Sequence, residues 1–386
     1  MDLAYTEEHE LIRKTAREFA QERLAPGVAE RDRDMIYPEE QLRELGELGF
    51  WGIFFDEKYG GAGLDSISYC IAIEELSRVD ASVGVIISVT NSLAAYPIDK
   101  FGTEEQKQKF LAPLVSGQKL GGFCLTEPGA GSDAGAQKTT AVVDGDNYVV
   151  NGSKHFVTSG KNGDIFIVTA VTDKSQGLKG TSTLIIEQGT PGLTVEPPEH
   201  KLGIRGSDTH ALTFDDCKVP VANRLGAEGD GFKVAMTALD SGRMGIAAQA
   251  LGIAQGSLDA SLQYAHERQQ FGKFLKDFQA IQFKLADMET RIHASRLLLH
   301  QSALLKDAGK RYTKEVAMAK VFCSETAMWA AEEAVQIYGG YGYSTEYPVE
   351  RFMRDAKITE IYEGTSEIQR VVIAANLLAE WAKMHG

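Results

Sequence analysis

Residues 140–152 read TAVVDGDNYVVNG. Two runs rich in β-branched and aromatic residues stand either side of Asp144-Gly145, and Asn151-Gly152 follows the second. Asp-Gly and Asn-Gly supply the positive φ that tight hairpin turns demand, so this stretch predicts short strands joined by turns. The signature recurs at Ile165–Thr172, Thr183–Gln188 and Ala211–Phe214, with Gly189-Thr190-Pro191-Gly192 as a further turn. No long helical period interrupts residues 122–225. That argues for an antiparallel β domain and against a βαβ nucleotide fold.

Helical signals flank this region on both sides. Upstream, Thr103-Glu104-Glu105-Gln106 is a capping box, and Pro38 before Glu39, Glu40 and Leu42 marks another helix start. Gly60-Gly61-Ala62-Gly63 predicts a loop. Downstream, Ile281, Leu285, Met288, Ile292 and Leu299 share one helical face. Val316, Ala319, Cys323, Ala327, Ala330, Ala334 and Ile337 do the same after a turn at Gly309-Lys310-Arg311. Ala247, Ala248, Ala250, Gly252, Ala254 and Gly256 give an earlier helix a small surface that lets neighbours come close. The expected plan is α+β: an N-terminal helical domain at 1–121, a β domain at 122–230 and a four-helix bundle with oligomer contacts at 231–386.

Composition narrows the function classes. With 386 residues, the chain is long enough to bury a core without disulfide or metal staples. A net charge of −14 argues against non-specific binding to nucleic acid or anionic membrane. Cys70, Cys124, Cys217 and Cys323 form no C-x-x-C pair, which suits a reducing compartment. The N-terminal MDLAYTEEHE is not a signal peptide, and the apolar run Val83–Val89 falls far below the roughly 20 residues of a membrane span. A soluble, cytoplasmic protein is expected.

Three stretches carry the chemistry, and domain junctions are where ligand pockets concentrate. The first, Phe123 to Asp133 (FCLTEPGAGSD), stands where helix gives way to strand. Its glycines let backbone approach a ligand, and successive N–H groups in such loops form anion-binding hollows. It lacks the Gly-Lys-Ser/Thr of a P-loop, so ATP is a poor match. An elaborate turn with Thr126 and Asp133 as local caps would account for the glycines as well. The second, Gln336 to Glu346 (QIYGGYGYSTE), closes a long helix. Gly339 suffices as its C-cap, which leaves Gly340 and Gly342 over. The third, Ile361 to Gln369 (IYEGTSEIQ), holds a Ser366-x-x-Gln369 capping box that leaves Glu363 in the preceding loop, between large apolar residues. A carboxylate in an apolar pocket can act as a general base, although a lone loop glutamate is more often a solvated acid. The 8 histidines show no metal spacing, and no Ser, His and acid set stands out, so no metal site is expected.

In this order and on an α–β–α plan, the three stretches resemble the acyl-CoA dehydrogenase family. The likeness runs from the Tyr59-Gly60-Gly61-Ala62-Gly63 loop to the last helix. LTEPGAGSD (125–133) and QIYGGYGY (336–343) with the downstream Arg351, Phe352, Met353, Arg354 and Asp355 look like its two signature motifs. SGRMGIAAQALGIAQGSLD (241–259) and FQAIQFKLADM (278–288) are most similar to the short-chain, butyryl-CoA dehydrogenase branch.

That resemblance implies FAD between the β domain and the C-terminal bundle. Phe123, Leu125, Thr126 and the loop to Ser132 would contact the flavin, with Ser132 also near the pantetheine of the substrate. Phe156, Val157 and Thr158 match a flavin-flanking motif whose first position is usually Trp; Phe156 keeps an aromatic surface but lacks the indole N–H. Arg268, Phe271, Gln279, Gln336, Gly339 and Gly340 match residues that hold a neighbouring subunit's FAD, and Thr365 and Glu367 match further FAD contacts. A guanidinium at 268 suits a pyrophosphate. The shared site implies an oligomer, a homotetramer as in relatives. Asp240, Arg243 and Gly364 match substrate-binding positions, Arg243 near the CoA moiety; taken alone, Asp240 and Arg243 would be a surface ion pair on one helix.

Glu363 matches the catalytic base of an α,β-dehydrogenation of an acyl-CoA thioester. The resemblance implies that it takes the α-proton while hydride goes to flavin N5 and electrons pass on to electron-transfer flavoprotein. The thioester oxygen would accept hydrogen bonds from the Glu363 N–H and a ribityl hydroxyl. Branches with the base on the preceding long helix carry it at the position of Gly242, which cannot serve. A glutaryl-type substrate needs a cation, and Val79–Asp99 holds no Lys or Arg, so an uncharged tail is expected. Cyclic or aryl acyl groups, an oxidase passing electrons to O₂, and a non-catalytic CoA- or FAD-binding scaffold are the competing readings. The location is the bacterial cytoplasm, or the mitochondrial matrix if a transit peptide has been removed.

Overall fold

A computed structural model describes residues 5–385. The N-terminal region is helical: α1 (Glu7–Phe19), α2 (Val28–Asp34), α3 (Glu39–Glu47), α4 (Ser66–Ser77), α5 (Ala81–Val89), α6 (Tyr96–Phe101), α7 (Glu104–Gln106) and α8 (Ala112–Val115). Side-chain caps start most of the longer ones. Thr6 and His9 form a reciprocal box on α1, Asp65 accepts from the Ser68 N–H of α4, and Asp80 accepts from Ser82 of α5. The Thr103–Gln106 box forms as the sequence predicts. Each such cap is worth about 1 kcal/mol.

One expectation changes here. The apolar run read at Val83–Val89 belongs to a continuous helical stretch, Ala81–Phe101, because a π-helical turn at Thr90–Ala95 joins α5 to α6. Its 21 residues reach membrane-spanning length and its most apolar 18-residue window has a mean hydropathy of 1.4, yet that window is wholly buried inside the protein. Buried on every side from Ala81 to Ile98, it is a core helix.

The chain then enters an eight-stranded sheet. Its strands are β1 (Gly121–Cys124), β2 (Thr140–Asp144), β3 (Asn147–Thr158), β4 (Ile165–Val171), β5 (Thr181–Glu187), β6 (Leu193–Pro198), β7 (Thr209–Pro220) and β8 (Arg224–Leu225). The order is β6-β7-β3-β2-β4-β5-β8, with β1 beside β4. Pairing is antiparallel except where β4 meets β1 and β2 in parallel. Asp144 faces Asn147 across the predicted tight turn. Asn151-Gly152 is not a turn. It is a bulge within β3, where the register against β7 slips between Val150 and Gly152. Gly152 takes φ 143°, and a Cβ there would run into Thr139, so the kink re-aims β3 without ending it.

The C-terminal region is built on α9 (Gly231–Glu267), α10 (Gln279–Asp307), α11 (Thr313–Tyr338), α12 (Val349–Thr359) and α13 (Ser366–His385). A two-residue-strand hairpin, β9 (Gln269–Gln270) with β10 (Lys273–Phe274), links α9 to α10. The small-residue stripe of α9 does what its composition predicts. A Cβ on Gly252 would lie 2.8 Å from Ser77 Cβ and nearer still to the Glu74 carbonyl, so α9 rides directly on the backbone of α4. As a result α1, α4, α5, α9, α10, α11 and α12 share one hydrophobic core. The β region has its own core around Tyr148, Phe166 and Phe214, and a third cluster fills the seam between the sheet and the α6 and α8 region.

Three side chains of α12 tie these regions together. Arg351 donates to the Val79 carbonyl at 2.9 Å. Arg354 grips Asp32 at 2.6 and 3.1 Å and also donates to the Leu202 carbonyl. Asp355, wholly buried, accepts from the Ile204 N–H at 2.5 Å, and burial pushes its carboxyl up to about 7 against the pull of Arg351. The signature motif at 351–355 is thus a clamp on the Lys201–Ser207 loop. Asp355→Ala leaves the Ile204 N–H buried without a partner, and we expect a loss of about 1–3 kcal/mol in urea unfolding; an unchanged midpoint would refute the clamp.

Candidate active site

Glu363 and Gly364 occupy the loop between α12 and α13 with φ of 53° and 93°. A left-handed glutamate costs about 1–2 kcal/mol, so something must hold it. Four contacts do. Gln369 Nε2 donates to the Glu363 carbonyl at 3.1 Å and to the Gly364 carbonyl at 2.9 Å. Lys320 Nζ donates to the Gly364 carbonyl at 2.8 Å, and Arg243 Nε reaches the Glu363 carbonyl at 3.4 Å. The expected Ser366–Gln369 capping box is therefore not formed. The cap is one residue earlier, with Thr365 Oγ1 accepting from Ile368 N at 3.3 Å, because the Gln369 amide is engaged by the loop carbonyls.

Glu363 is half-buried as a residue, and its Oε2 is solvent-free with no hydrogen-bond partner. Burial pushes this carboxyl up to about 8, opposed by the charges of Lys320 and then Arg243. Its own N–H makes no hydrogen bond among the described residues. An unpartnered carboxylate with a free backbone donor beside it can take a proton from one atom and bind an oxyanion next to it.

Room for that carboxylate comes from α9. A Cβ on Gly242 would lie 2.7 Å from both Glu363 Cδ and Leu93 Cδ2, and nearer still to Oε2. A side chain at 242 and the carboxylate of 363 therefore exclude one another. The next residue, Arg243, pairs with Asp240 at 2.7 Å, and Thr313 Oγ1 donates to the same Asp240 at 2.7 Å. Arg243 is 5% exposed, so the pair is not the surface ion pair its spacing alone suggests. The guanidinium is turned to the Glu363 carbonyl.

The Phe123–Asp133 stretch forms a second group. Phe123 is half-buried on β1, Leu125 is buried, Thr126 is half-buried and Ser132 is exposed. His155 N–H donates to the Thr126 carbonyl at 2.8 Å, which brings Phe156, Val157 and Thr158 alongside. Phe156 is 64% exposed at φ 56°, whereas Val157 is fully buried in the sheet core and offers a ligand only its backbone. Beneath the loop lies Lys154, fully buried, donating to the Leu125 carbonyl, Glu127 Oε1 and Gln137 Oε1 at 2.8–3.2 Å. Glu127 in turn accepts from the N–H groups of Lys138 and Thr139.

A third group lines an open cavity of about 670 Å³, with Arg268, Tyr338, Gly339, Gly340 and Tyr341 on its walls. Gln336 is exposed on α11, Gln279 starts α10, and Phe271 stands 95% exposed on the β9–β10 turn. Thr365 and Glu367 belong with Glu363 at the start of α13. The donor sets fit a flavin dinucleotide. A Cβ on Gly129, Gly131, Gly339 or Gly340 would meet nothing within 4 Å, leaving bare backbone edges open, and Arg268 adds a cation.

The N-terminal, middle and C-terminal domain models of acyl-CoA dehydrogenase match residues 6–118, 122–217 and 229–378. The chain belongs to the acyl-CoA dehydrogenase family. It is 51% identical over 377 residues to a short-chain specific acyl-CoA dehydrogenase of Clostridium acetobutylicum, covering 98% of this chain and 100% of that one. The structure of butyryl-CoA dehydrogenase from Megasphaera elsdenii superposes with a TM-score of 0.97 at 52% identity, covering 98% and 100% of the two chains. A chain from a study of the electron transferring flavoprotein of Acidaminococcus fermentans matches equally well, with a TM-score of 0.97 at 53% identity, covering 98% and 100%. As an acyl-CoA dehydrogenase the protein is an oxidoreductase, and its cofactor is FAD.

Within this acyl-CoA dehydrogenase, several side chains beside the functional groups escaped the sequence reading. Lys320 lies on the buried face of α11 with Val316 and Cys323, and Lys154 lies on the inward face of β3 with Tyr148 and Val150. A lysine on an otherwise apolar face was the signal that could have found both.

Proposed function

We propose that the protein oxidises a short- to medium-chain acyl-CoA to the trans-2-enoyl-CoA, with Glu363 removing the α-proton. The observation that carries this reading is the solvent-free, unpartnered Oε2 of Glu363 above Gly242. Breaking the α C–H bond leaves its electron pair on the thioester, and the Glu363 N–H is free to bind the oxygen where that charge collects. When bound, FAD supplies the acceptor for the β-hydrogen, which leaves as hydride. Phe123, Leu125, Thr126, Ser132, Phe156, Val157, Thr158, Thr365 and Glu367 hold it in the same subunit. Arg268, Phe271, Gln279, Gln336, Gly339 and Gly340 reach the FAD of a neighbour in a homotetramer. Asp240, Arg243, Ser132 and Gly364 bind the acyl-CoA. The working units are 1–121, 122–230 and 231–386.

The acyl tail is uncharged. Lys306 does approach the Val79–Asp99 stretch from α10, but its ammonium faces the Phe54 ring at 3.6 Å and the Tyr96 ring at 4.8 Å. Those ring faces occupy the cation. Electrons pass to electron-transfer flavoprotein, in the cytoplasm.

Anaerobic titration with butyryl-CoA tests the reading. Bleaching of the visible flavin band with formation of the enoyl-CoA is expected; a flavin that stays oxidised would refute the short-chain assignment. Faster reoxidation by electron-transfer flavoprotein than by air is expected as well, and the reverse order would make the protein an oxidase. The base also sets a pH dependence. Glu363 must be ionised to act and its carboxyl lies at about 8. In the free enzyme kcat/KM should therefore rise about tenfold per unit up to that pH and level off above it. A flat profile between pH 6 and pH 9, about either side of that value, would remove an ionisation of this kind from the reaction.

A further inference from the structure

Lys320 sits about two turns into α11 with 0% exposure. Burying an ammonium costs several kcal/mol unless charge and hydrogen bonds compensate. Its neighbours on the helix, Val316, Ala319 and Cys323, are buried and apolar. An aliphatic residue would suit that face better. The compensation comes from across the interface: the Gly364 carbonyl at 2.8 Å, and the charge of Glu363.

Around the loop the buried charges balance. When ionised, Lys320 and Arg243 are cationic and Glu363 and Asp240 anionic, burial bringing the Lys320 ammonium down and the Glu363 carboxyl up, each to about 8; Glu360 and Glu367 also face Lys320, and the phenols of Tyr69 and Tyr362 near Glu363 are kept neutral by burial. Arg243 divides its guanidinium between Asp240 and the Glu363 carbonyl. Lys320 has no such ion-pair partner of its own, and among the charges that counter the burial of Glu363 it is the larger. Once Glu363 takes a proton, the inner four groups pass from neutral to one net positive charge. That excess opposes the negative charge left on the thioester.

We propose that Lys320 is a positioning residue for the base: it pins the left-handed Glu363–Gly364 pair through the Gly364 carbonyl and is the nearby positive charge that favours the ionised form of the enclosed carboxylate. This rests on Glu363 being the base. Hydrogen bond and charge are two separable jobs, and three substitutions separate them. Lys320→Arg keeps the charge, Lys320→Gln keeps a donor for the carbonyl without charge, and Lys320→Met keeps neither.

The test is kcat/KM for butyryl-CoA against pH in the FAD-loaded variants, with flavin content and thermal midpoint as controls on folding. The acid limb of the Gln and Met variants should move up by about one pH unit or more, the usual effect of losing an adjacent opposite charge. Lys320→Arg should leave it in place. On the alkaline plateau Lys320→Gln should keep a higher kcat than Lys320→Met, with KM similar in both. A limb that does not move in Lys320→Gln overturns the charge role. Equal plateaus for Gln and Met overturn the pinning role. The premise fails differently: Glu363→Gln with near-normal turnover would show that Glu363 is not the base, whatever Lys320 does.

Discussion

Glu363→Gln is expected to keep its FAD and to lose turnover by about 10²–10⁴-fold, the usual worth of a positioned general base. The two side chains have nearly the same volume, so packing against Gly242 and Leu93 is preserved, and the carbonyls of residues 363 and 364 keep their donors from Gln369, Lys320 and Arg243. What disappears is the only function of a carboxylate held without a hydrogen-bond partner. No substitute stands ready on α9, because residue 242 is glycine. Stopped-flow reduction by butyryl-CoA reads the chemical step directly, and equilibrium binding of a non-reducing acyl-CoA analogue checks that the site still accepts its ligand. A variant that is reduced at close to the normal rate would take Glu363 out of the mechanism.

Gly242→Ala should be nearly as damaging, through a methyl group and not through any loss of chemistry. The new Cβ would lie 2.7 Å from Glu363 Cδ and Leu93 Cδ2, well inside van der Waals contact. Leu93 belongs to the buried core helix and cannot withdraw far, so the carboxylate gives way by about 1 Å. Displacement on that scale costs on the order of 10²-fold in rate. Overpacking should also cost about 1–3 kcal/mol of stability. The decisive measurement is kcat at the alkaline plateau beside the thermal midpoint. A variant with a lower midpoint and unaltered kcat would mean that the base has room to spare, contrary to the geometry.

Much of this was legible in the residues. The strand–turn rhythm after residue 139 located the sheet, the small-residue stripe identified α9 as a helix pressed against others, and the loop position of Glu363 followed from its neighbours. What was not legible depends on contacts made over long separations in the chain. Asn151-Gly152 has the composition of a turn, but pairing with β7 on both sides turns it into a bulge. Ser366 has the sequence of a cap, but the Gln369 amide is drawn to two carbonyls that are exposed only because residues 363 and 364 are left-handed. Val83–Val89 looked far too short to match a membrane span, and the polar Thr90, Asn91 and Ser92 follow it. Their side chains instead bond to nearby carbonyls, among them those of Gly121, Ile87 and Ser88, so the helix runs on. The lysines at 154 and 320 met their partners only in three dimensions.

The core shared by the first and last helical regions has a consequence for how this protein can be taken apart or inherited. Three successive family models describe the chain, yet the outer two correspond to one physical body whose halves are separated by about a hundred residues of sheet. Neither half carries a complete interior. Cut free, the N-terminal segment would present the buried faces of α4 and α5 to water. Recombination between relatives could therefore exchange the sheet, which brings an interior of its own, wherever its seam with the N-terminal helices is matched, but could replace one helical end only together with the other. The two ends of the sequence form a single unit of descent.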